Sequence, residues 1–353
     1  MDVTRLIEPG GILHGPEAGR AIRAGVALPL AGGPTAFTVA TLIEKDHVSH
    51  PMPVDRIPAG WRSTLETVTR KASSALLPSQ PLVMGIVNVT PDSFSDGGHY
   101  VDPARAIAHG ERLLRDGASI LDMGAESTRP NADPVSPDEE WARLQPLLEE
   151  MVRREVCISI DTRNASTMEK ALNAGATLIN DVSALTHDPE AIGVLAARSC
   201  PVVLMHMRGT PATMNDMTRY GDVVVDVVRE LAARITVAER GGIARTRILI
   251  DPGIGFAKTT AQNAEVIRRL PLFANLGCRM VLGTSRKRMI GALTGVNEAA
   301  ERDPGTIASS LPGLVLTDTI LRVHNCSAMT QALGVWEGCF TPHPLPEGTF
   351  QIM

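Results

Sequence analysis

Eight short apolar runs in this chain each end in a side chain that can donate, accept or carry charge. In chain order these ends are Asn88, Asp122 (with Glu126 just after it), Asp161, Asn180 with Asp181, His206, Asp251, Thr284 with Ser285, and His324. One polar strand end means little. A whole ring of them reads as a binding mouth, because a closed parallel barrel brings the C-terminal ends of its strands to one rim. The residue types sort into two chemistries. Asp251, in ILIDPGIGFAK, is a carboxylate that can take two adjacent N–H donors in parallel. Asn180, in INDVSAL, reads a mixed donor and acceptor edge, and Asp161, in SIDT, is a further inward acceptor. Lys287 follows Gly283 in GTSRKRMIG and can donate to a ring carbonyl or nitrogen. Met205 and Phe256 offer apolar faces to a flat ring. Such a set suits a heterocycle with a guanidine-like edge.

The second chemistry is anion binding. Arg322 and His324 lie two apart on the last strand, so they face the same way. Arginine matches oxyanions with its planar fork, and histidine adds a donor whose charge depends on pH. Barrels commonly build phosphate sites from the loops after strands seven and eight, where Thr284–Lys287 and Arg322/His324 fall. Asn88 can reach the same anion directly or through Mg²⁺, a hard ion that prefers oxygen ligands and rides on phosphate substrates. The plainer readings are a structural ion pair for Arg322 and a satisfied buried imidazole for His324.

The elements that must position these residues alternate. Candidate strands fall at 83–88, 119–124, 156–161, 177–181, 202–206, 247–251, 280–283 and 319–324, with amphipathic helical patterns between them. That number closes a (β/α)8 barrel. A doubly wound open sheet is the runner-up, but the first turn, VTPDSFS, has no GxG. The first strand runs into a long turn-rich loop, MGIVNVTPDSFSDGG over 84–98, before Asp102-Pro103 opens a helix. Ser136 with Glu139 reads as a capping box, Pro146 as a kink, Asn164 as a cap and Asp188-Pro189 as a helix start. Asp222–Arg240 is rich in valine, but its spacing and the stop at Gly241-Gly242 favour a helix.

The chain has 353 residues, more than the roughly 250 of a barrel. The surplus lies at the N-terminus. Residues 1–80 are rich in Gly and Pro and lack the alternation; we expect a strand at 36–43, a helix over 61–77 and a small extension packed on a barrel of residues 81–340, with 341–353 as a tail. A net charge of −5 with no basic patch argues against nucleic acid. No apolar run reaches membrane-spanning length and no signal-peptide layout opens the chain. Five scattered cysteines without a CxxC pair point to reduced, mostly buried thiols in a cytoplasmic protein. Neither His47/His50 nor Cys339/His343 is read as a metal pair.

Several motifs, in order, carry a resemblance. MGIVNVTPDSFSDGG, GAESTRP, SIDT, IND, LMHMRGTP, IDPGIGF, GTSRKRMIG and RVH resemble the signatures of dihydropteroate synthases, which join a pterin to 4-aminobenzoate. The resemblance implies that Thr128, Asp161, Asn180, Asp251, Lys287, Arg322 and His324 bind the pterin diphosphate, and that Asn88 binds Mg²⁺. It implies that the loops over 92–97 and 126–134 close over the second substrate, with Phe94, Arg129, Pro130, Ser285 and Lys287 near the aminobenzoate. It also implies a homodimer and sulfonamides as competitors. The family usually reads RVHD, and here Asn325 follows His324. By alternation residue 325 points away from His324's side, so a modest effect is expected. Two other readings share the barrel: a methyltetrahydrofolate-dependent methyltransferase, which has no need of an anion cradle, and a non-catalytic pterin-binding protein, which has no need of second-substrate loops.

Overall fold

The computed structural model describes residues 3–45, 47–72, 76–90, 102–126 and 135–340. The N-terminal part is an antiparallel sheet. Strand β1 (Arg5–Leu13) pairs along its length with β3 (Ala36–Glu44), Leu6 opposite Ile43 and Gly10 opposite Val39. Three short strands, β2 (Leu28–Pro29), β4 (His47–Val48) and β5 (Met52–Pro53), also pair with β3. Sequence reading found β3 and missed β1, because Pro9-Gly10-Gly11 looks like a turn. An edge strand tolerates them: proline's missing donor is no loss where no second strand pairs, and Gly11 takes a left-handed φ of 60°. Of the helix expected over 61–77, the described residues form Arg62–Thr69. Leu76, which was to continue its apolar face, is 52% exposed. The chain turns away instead to place the carbonyls of Pro78 and Gln80 on the buried guanidinium of Arg279.

This sheet is seated on the barrel chiefly through one buried 3-10 segment, Leu270–Leu276, with further contacts from Arg229 to Lys45 O and from His14 to Trp336 and Phe340. The Asn275 side chain acts as a substitute strand for β1. Its oxygen accepts from Ile7 N at 2.9 Å, and its nitrogen donates to Ile7 O at 2.8 Å. Glu8 forks onto Arg269, which also grips Asp222. Asn275→Ala strands two buried backbone groups, each costing about 1–3 kcal/mol. Chemical denaturation should therefore show a loss of several kcal/mol.

From Leu82 on, the eight expected strands form a closed parallel barrel in chain order. They are β6 (Leu82–Asn88), β7 (Ile120–Gly124), β8 (Cys157–Asp161), β9 (Leu178–Asp181), β10 (Val202–Met205), β11 (Ile248–Asp251), β12 (Arg279–Leu282) and β13 (Ile320–Val323). Closure is made by β13 on β6, with Ile320 opposite Leu82 and Arg322 opposite Met84. Leu82, Met84, Ile120, Leu178, Val203, Leu249, Val281 and Ile320 plug the interior as one apolar cluster.

Helix punctuation is partly as read. Asp102 and Asp222 cap their helices through Ala104 N and through Val224 N and Val225 N. Val223–Arg240 is a helix. Pro146 lies inside the helix Pro137–Val152. Ser136 accepts from Glu139 N, but Glu139 turns forward onto Arg143, so the box is half made. The complete box is Thr259 with Gln262. Asn164 spends its amide on Glu140 rather than on capping. Asp188 leads into the helix Ala191–Ala196 as read, one oxygen accepting Glu190 N at 2.9 Å, while its other oxygen takes Ala165 N at the head of the preceding helix, 2.8 Å away. The five thiols are all free, with Cys200, Cys278 and Cys326 buried. Among the described residues no helix is long and apolar enough to cross a membrane.

Candidate active site

Strand alternation builds the site directly on the apolar plug. Each barrel residue two positions beyond a plug residue points the same way, one layer nearer the rim. Ile120 is followed by Asp122, Leu178 by Asn180, Val203 by Met205, Leu249 by Asp251, Val281 by Gly283 and Ile320 by Arg322. One cavity is lined by Asp161, Asn180, Met205, Asp251, Phe256, Gly283, Lys287 and Arg322, with Val182 and Ile254 completing the wall. The acids and amide meant for the heterocycle and the cations meant for the anion therefore share one mouth.

Arg322 is the hub. Its Nε donates to Asp122 at 2.6 Å and its terminal nitrogen to Asp161 at 2.8 Å. Asp122 is wholly buried and also takes Ser159 Oγ at 2.5 Å and Asn180 Nδ2 at 3.1 Å. The structural ion pair considered for Arg322 is thus present, and the same guanidinium still borders the cavity. Asn180 gives one N–H to Asp122, which leaves its oxygen and its second N–H for a ligand. Burial, with Asp122 nearby, pushes Asp161 up to about 7 against the pull of Arg322. Asp251 is also pushed up by burial. It accepts Gly253 N at 2.7 Å through one oxygen, and its other oxygen faces Gly283, where a Cβ would stand 3.6 Å away.

Lys287 lies with its Nζ 4.3 Å from the centre of the Phe256 ring. Burial and the Arg322 charge lower its pKa to about 8. An anion bound beside it restores the charged form. Diphosphate binding near pH 8 should therefore take up protons, and affinity should fall as pH rises through about 8. Calorimetry in buffers of differing ionisation enthalpy reads the uptake. Lys287→Arg, charged at every pH used, should flatten the dependence.

His324 stands beside the cavity rather than in its lining. Its Nδ1 and its backbone N both meet Ser285 Oγ, at 2.9 and 3.1 Å. Burial and the Arg286, Arg322 and Lys287 charges lower its pKa to about 3, so in the free protein it is a neutral imidazole at neutral pH. Asn88 ends β6 opposite Gly124, half-buried. Among the described residues no three acids, cysteines or histidines cluster as a metal site. A single amide oxygen at the rim fits Mg²⁺ of the kind that keeps its waters and rides on phosphates. Phe94, Thr128, Arg129 and Pro130 lie outside the described residues.

A second tier of residues escaped sequence reading. Lys258 is buried behind the Gly253–Phe256 turn and donates to Gly253 O, Phe256 O and His206 Nδ1. His206, lowered to about 4 mainly by burial, is neutral and hands its other N–H to Glu230 at 2.9 Å. Glu230 is forked by Arg208, which stacks on Tyr220. Tyr220 in turn bonds Ala257 O. Met205 points into the cavity and His206 into this support, as alternation requires of neighbours. Of this network, sequence reading had only His206, as one of the polar strand ends, and nothing marked Lys258, Glu230 or Tyr220 as its partners.

A closed parallel barrel with carboxylates, an amide and two cations around one mouth belongs to the class of barrel enzymes that hold a polar heterocycle beside an anion. The family profile described as "pterin binding enzyme" matches residues 84–324. Dihydropteroate synthase of Neisseria meningitidis serogroup C is 48% identical over 262 residues, covering 73% of this chain and 92% of that one. Among solved structures, Xanthomonas albilineans dihydropteroate synthase with 4-aminobenzoic acid is 46% identical, covers 74% of this chain and 93% of that chain, and has a TM-score of 0.69. The same enzyme in complex with 7,8-dihydropteroate is 42% identical over 74% and 94% of the two chains, with a TM-score of 0.66. The chain belongs to the dihydropteroate synthase family.

Proposed function

We propose that this protein makes dihydropteroate, transferring the dihydropterin-6-ylmethyl group from its diphosphate to the amine of 4-aminobenzoate. The observation that carries this reading is the single cavity lined by Asp161, Asn180, Asp251, Lys287 and Arg322. Asp251 takes the adjacent donors of the pterin edge, and Asn180 and Lys287 take its acceptor side. Arg322, His324 and the Ser285–Lys287 turn receive the diphosphate. The C–O bond breaks with its electrons going to diphosphate, and the cation left on the methylene is conjugated with the pterin. The arylamine nitrogen then bonds that carbon and releases a proton. An arylamine is already a usable nucleophile, so the enzyme's main contribution is electrostatic: cations at the leaving group, buried carboxylates around the electron-poor ring. Mg²⁺ held at Asn88 supplies further charge to the diphosphate when bound.

The anion-side residues favour this reading over methyl transfer from methyltetrahydrofolate, which has no diphosphate to bind. A homodimer through barrel helices is supported by the exposed apolar side chains Leu293, Val335 and Phe340 on the helices Arg288–Thr294 and Cys326–Phe340. Free thiols support a cytoplasmic setting. A direct assay for dihydropteroate, with and without Mg²⁺ and with a sulfonamide as competitor for 4-aminobenzoate, tests the reading. No product from folded protein with both substrates present would overturn it.

A further inference from the structure

The turn that carries Ser285 and Lys287 is held in a conformation that its own residues do not favour. Arg286, between them, has a left-handed φ of 57°. A non-glycine residue keeps such a backbone only where its surroundings over-determine it. Here they do. Arg286 N donates to Thr306 Oγ1 at 2.9 Å, and Arg302 donates to Arg286 O at 3.1 Å. The Arg286 guanidinium forks onto both oxygens of Asp303, at 2.8 and 3.0 Å. Asp303 begins the helix Asp303–Ser310, 17 residues further along the chain.

Asp303 has a second partner. Asn325 Nδ2 donates to the Asp303 oxygen that takes the Arg286 terminal nitrogen, at 2.8 Å, while Asn325 Oδ1 accepts Ala328 N. Asn325 is the residue that departs from the RVHD signature. An aspartate there would set a second carboxylate against Asp303 at hydrogen-bond distance, and two carboxylates that close cannot both ionise without penalty. The amide turns that repulsion into a hydrogen bond. Strand β13 ends at Val323, so strand alternation does not reach residue 325, whose side chain joins this clamp.

We propose that Asp303 is the positioning residue of the anion-binding turn, and that it supplies from another helix the negative charge that the family signature carries at position 325. Asn325 is its matched neutral partner. Arg286 thereby stays tied to this clamp while Lys287 lines the cavity and Ser285 holds His324 beside it. This deepens the proposed reaction and rests on it for the kinetic readout only; binding of inorganic diphosphate reads the clamp by itself.

The test is a charge swap between the two positions. Affinity for inorganic diphosphate by calorimetry, kcat and KM for the pterin diphosphate, and thermal melting are measured for the wild type, Asp303→Asn, Asn325→Asp and the double variant. Asp303→Asn should weaken diphosphate binding about tenfold, and Asn325→Asp about fivefold. The double variant, which restores one carboxylate and one amide in exchanged places, should return to within about threefold of the wild type, with the recovery in KM rather than kcat. Single losses that multiply in the double variant would overturn the proposal. So would diphosphate affinity unchanged in Asp303→Asn with only the melting temperature lowered. Wild-type protein that binds diphosphate but forms no dihydropteroate would count against the proposed reaction, not against the clamp.

Discussion

Asp251→Asn should lower kcat/KM for the pterin diphosphate by about 10²–10⁴-fold while the protein melts within a few degrees of wild type. A site built to hydrogen-bond a particular group discriminates by up to about 10⁴–10⁵ when the pairing is lost altogether, and an asparagine that keeps the shape and the Gly253 bond should cost somewhat less. Asp251 is buried at the end of β11 with one oxygen on Gly253 N and the other toward Gly283 and the cavity. Asparagine preserves the shape. Its oxygen can keep the Gly253 bond, but its NH₂ then faces the ligand's N–H donors, so two donors meet where a charged acceptor stood. Stability should hold because burial already disfavours the charged carboxylate, as its raised pKa records. Loss of the negative charge should also lower the pKa of Lys287, which Asp251 helps to hold up. Steady-state kinetics and equilibrium binding of the free pterin decide it. A change under about threefold in both would remove Asp251 from the pterin edge.

Arg322→Ala should combine the two losses that other positions keep separate. Removing one partner of a buried ion pair costs about 3–5 kcal/mol, because the remaining charge is left uncompensated. Here two remain: Asp122, wholly buried, and Asp161, already pushed up to about 7. The expected outcome is a large drop in denaturation free energy, larger at neutral than at mildly acidic pH. The sign follows from linkage. With its folded pKa raised further above the unfolded value, Asp161 holds more protons in the native state than in the unfolded one across that window. The native state is therefore favoured as pH falls toward the unfolded value. Binding should separate too. Free pterin should weaken modestly as Asp161 loses its anchor, and the diphosphate ester far more. Equal losses for both ligands would take Arg322 out of the anion site and leave it a structural ion pair alone. Arg322→Lys keeps a cation without the fork, and should restore more stability than diphosphate affinity.

The barrel and its mouth were legible because their signal is local. A strand end followed by a loop is written in consecutive residues, and the two-residue alternation fixes which side chains look inward once the strand is known. Asp161, Asn180, Asp251 and Arg322 were found that way. What stayed hidden depends on partners distant in the chain. Nothing around Asp303 announces that it will meet Arg286 and Asn325. Nothing around Lys258 announces a neutral His206 and a forked Glu230 behind it. Strand β1 was obscured differently: its central Pro-Gly-Gly obeys turn statistics, and it became a strand because β3 and the Asn275 side chain offered its backbone better partners. The short helix Arg62–Thr69 failed the other way, since its apolar spacing continued in sequence after the chain had already turned toward Arg279.

The seat of the N-terminal sheet lies at Leu270–Leu276, which leads into the starting end of β12, whereas the chemistry sits beyond the finishing ends of the strands. Variation in the first seventy residues should therefore register as abundance rather than as kinetics. An organism carrying a damaged Glu8 or Asn275 contact would run short of enzyme molecules, each of which worked at its normal pace. Added ligand, by favouring the folded form, would bring the numbers back.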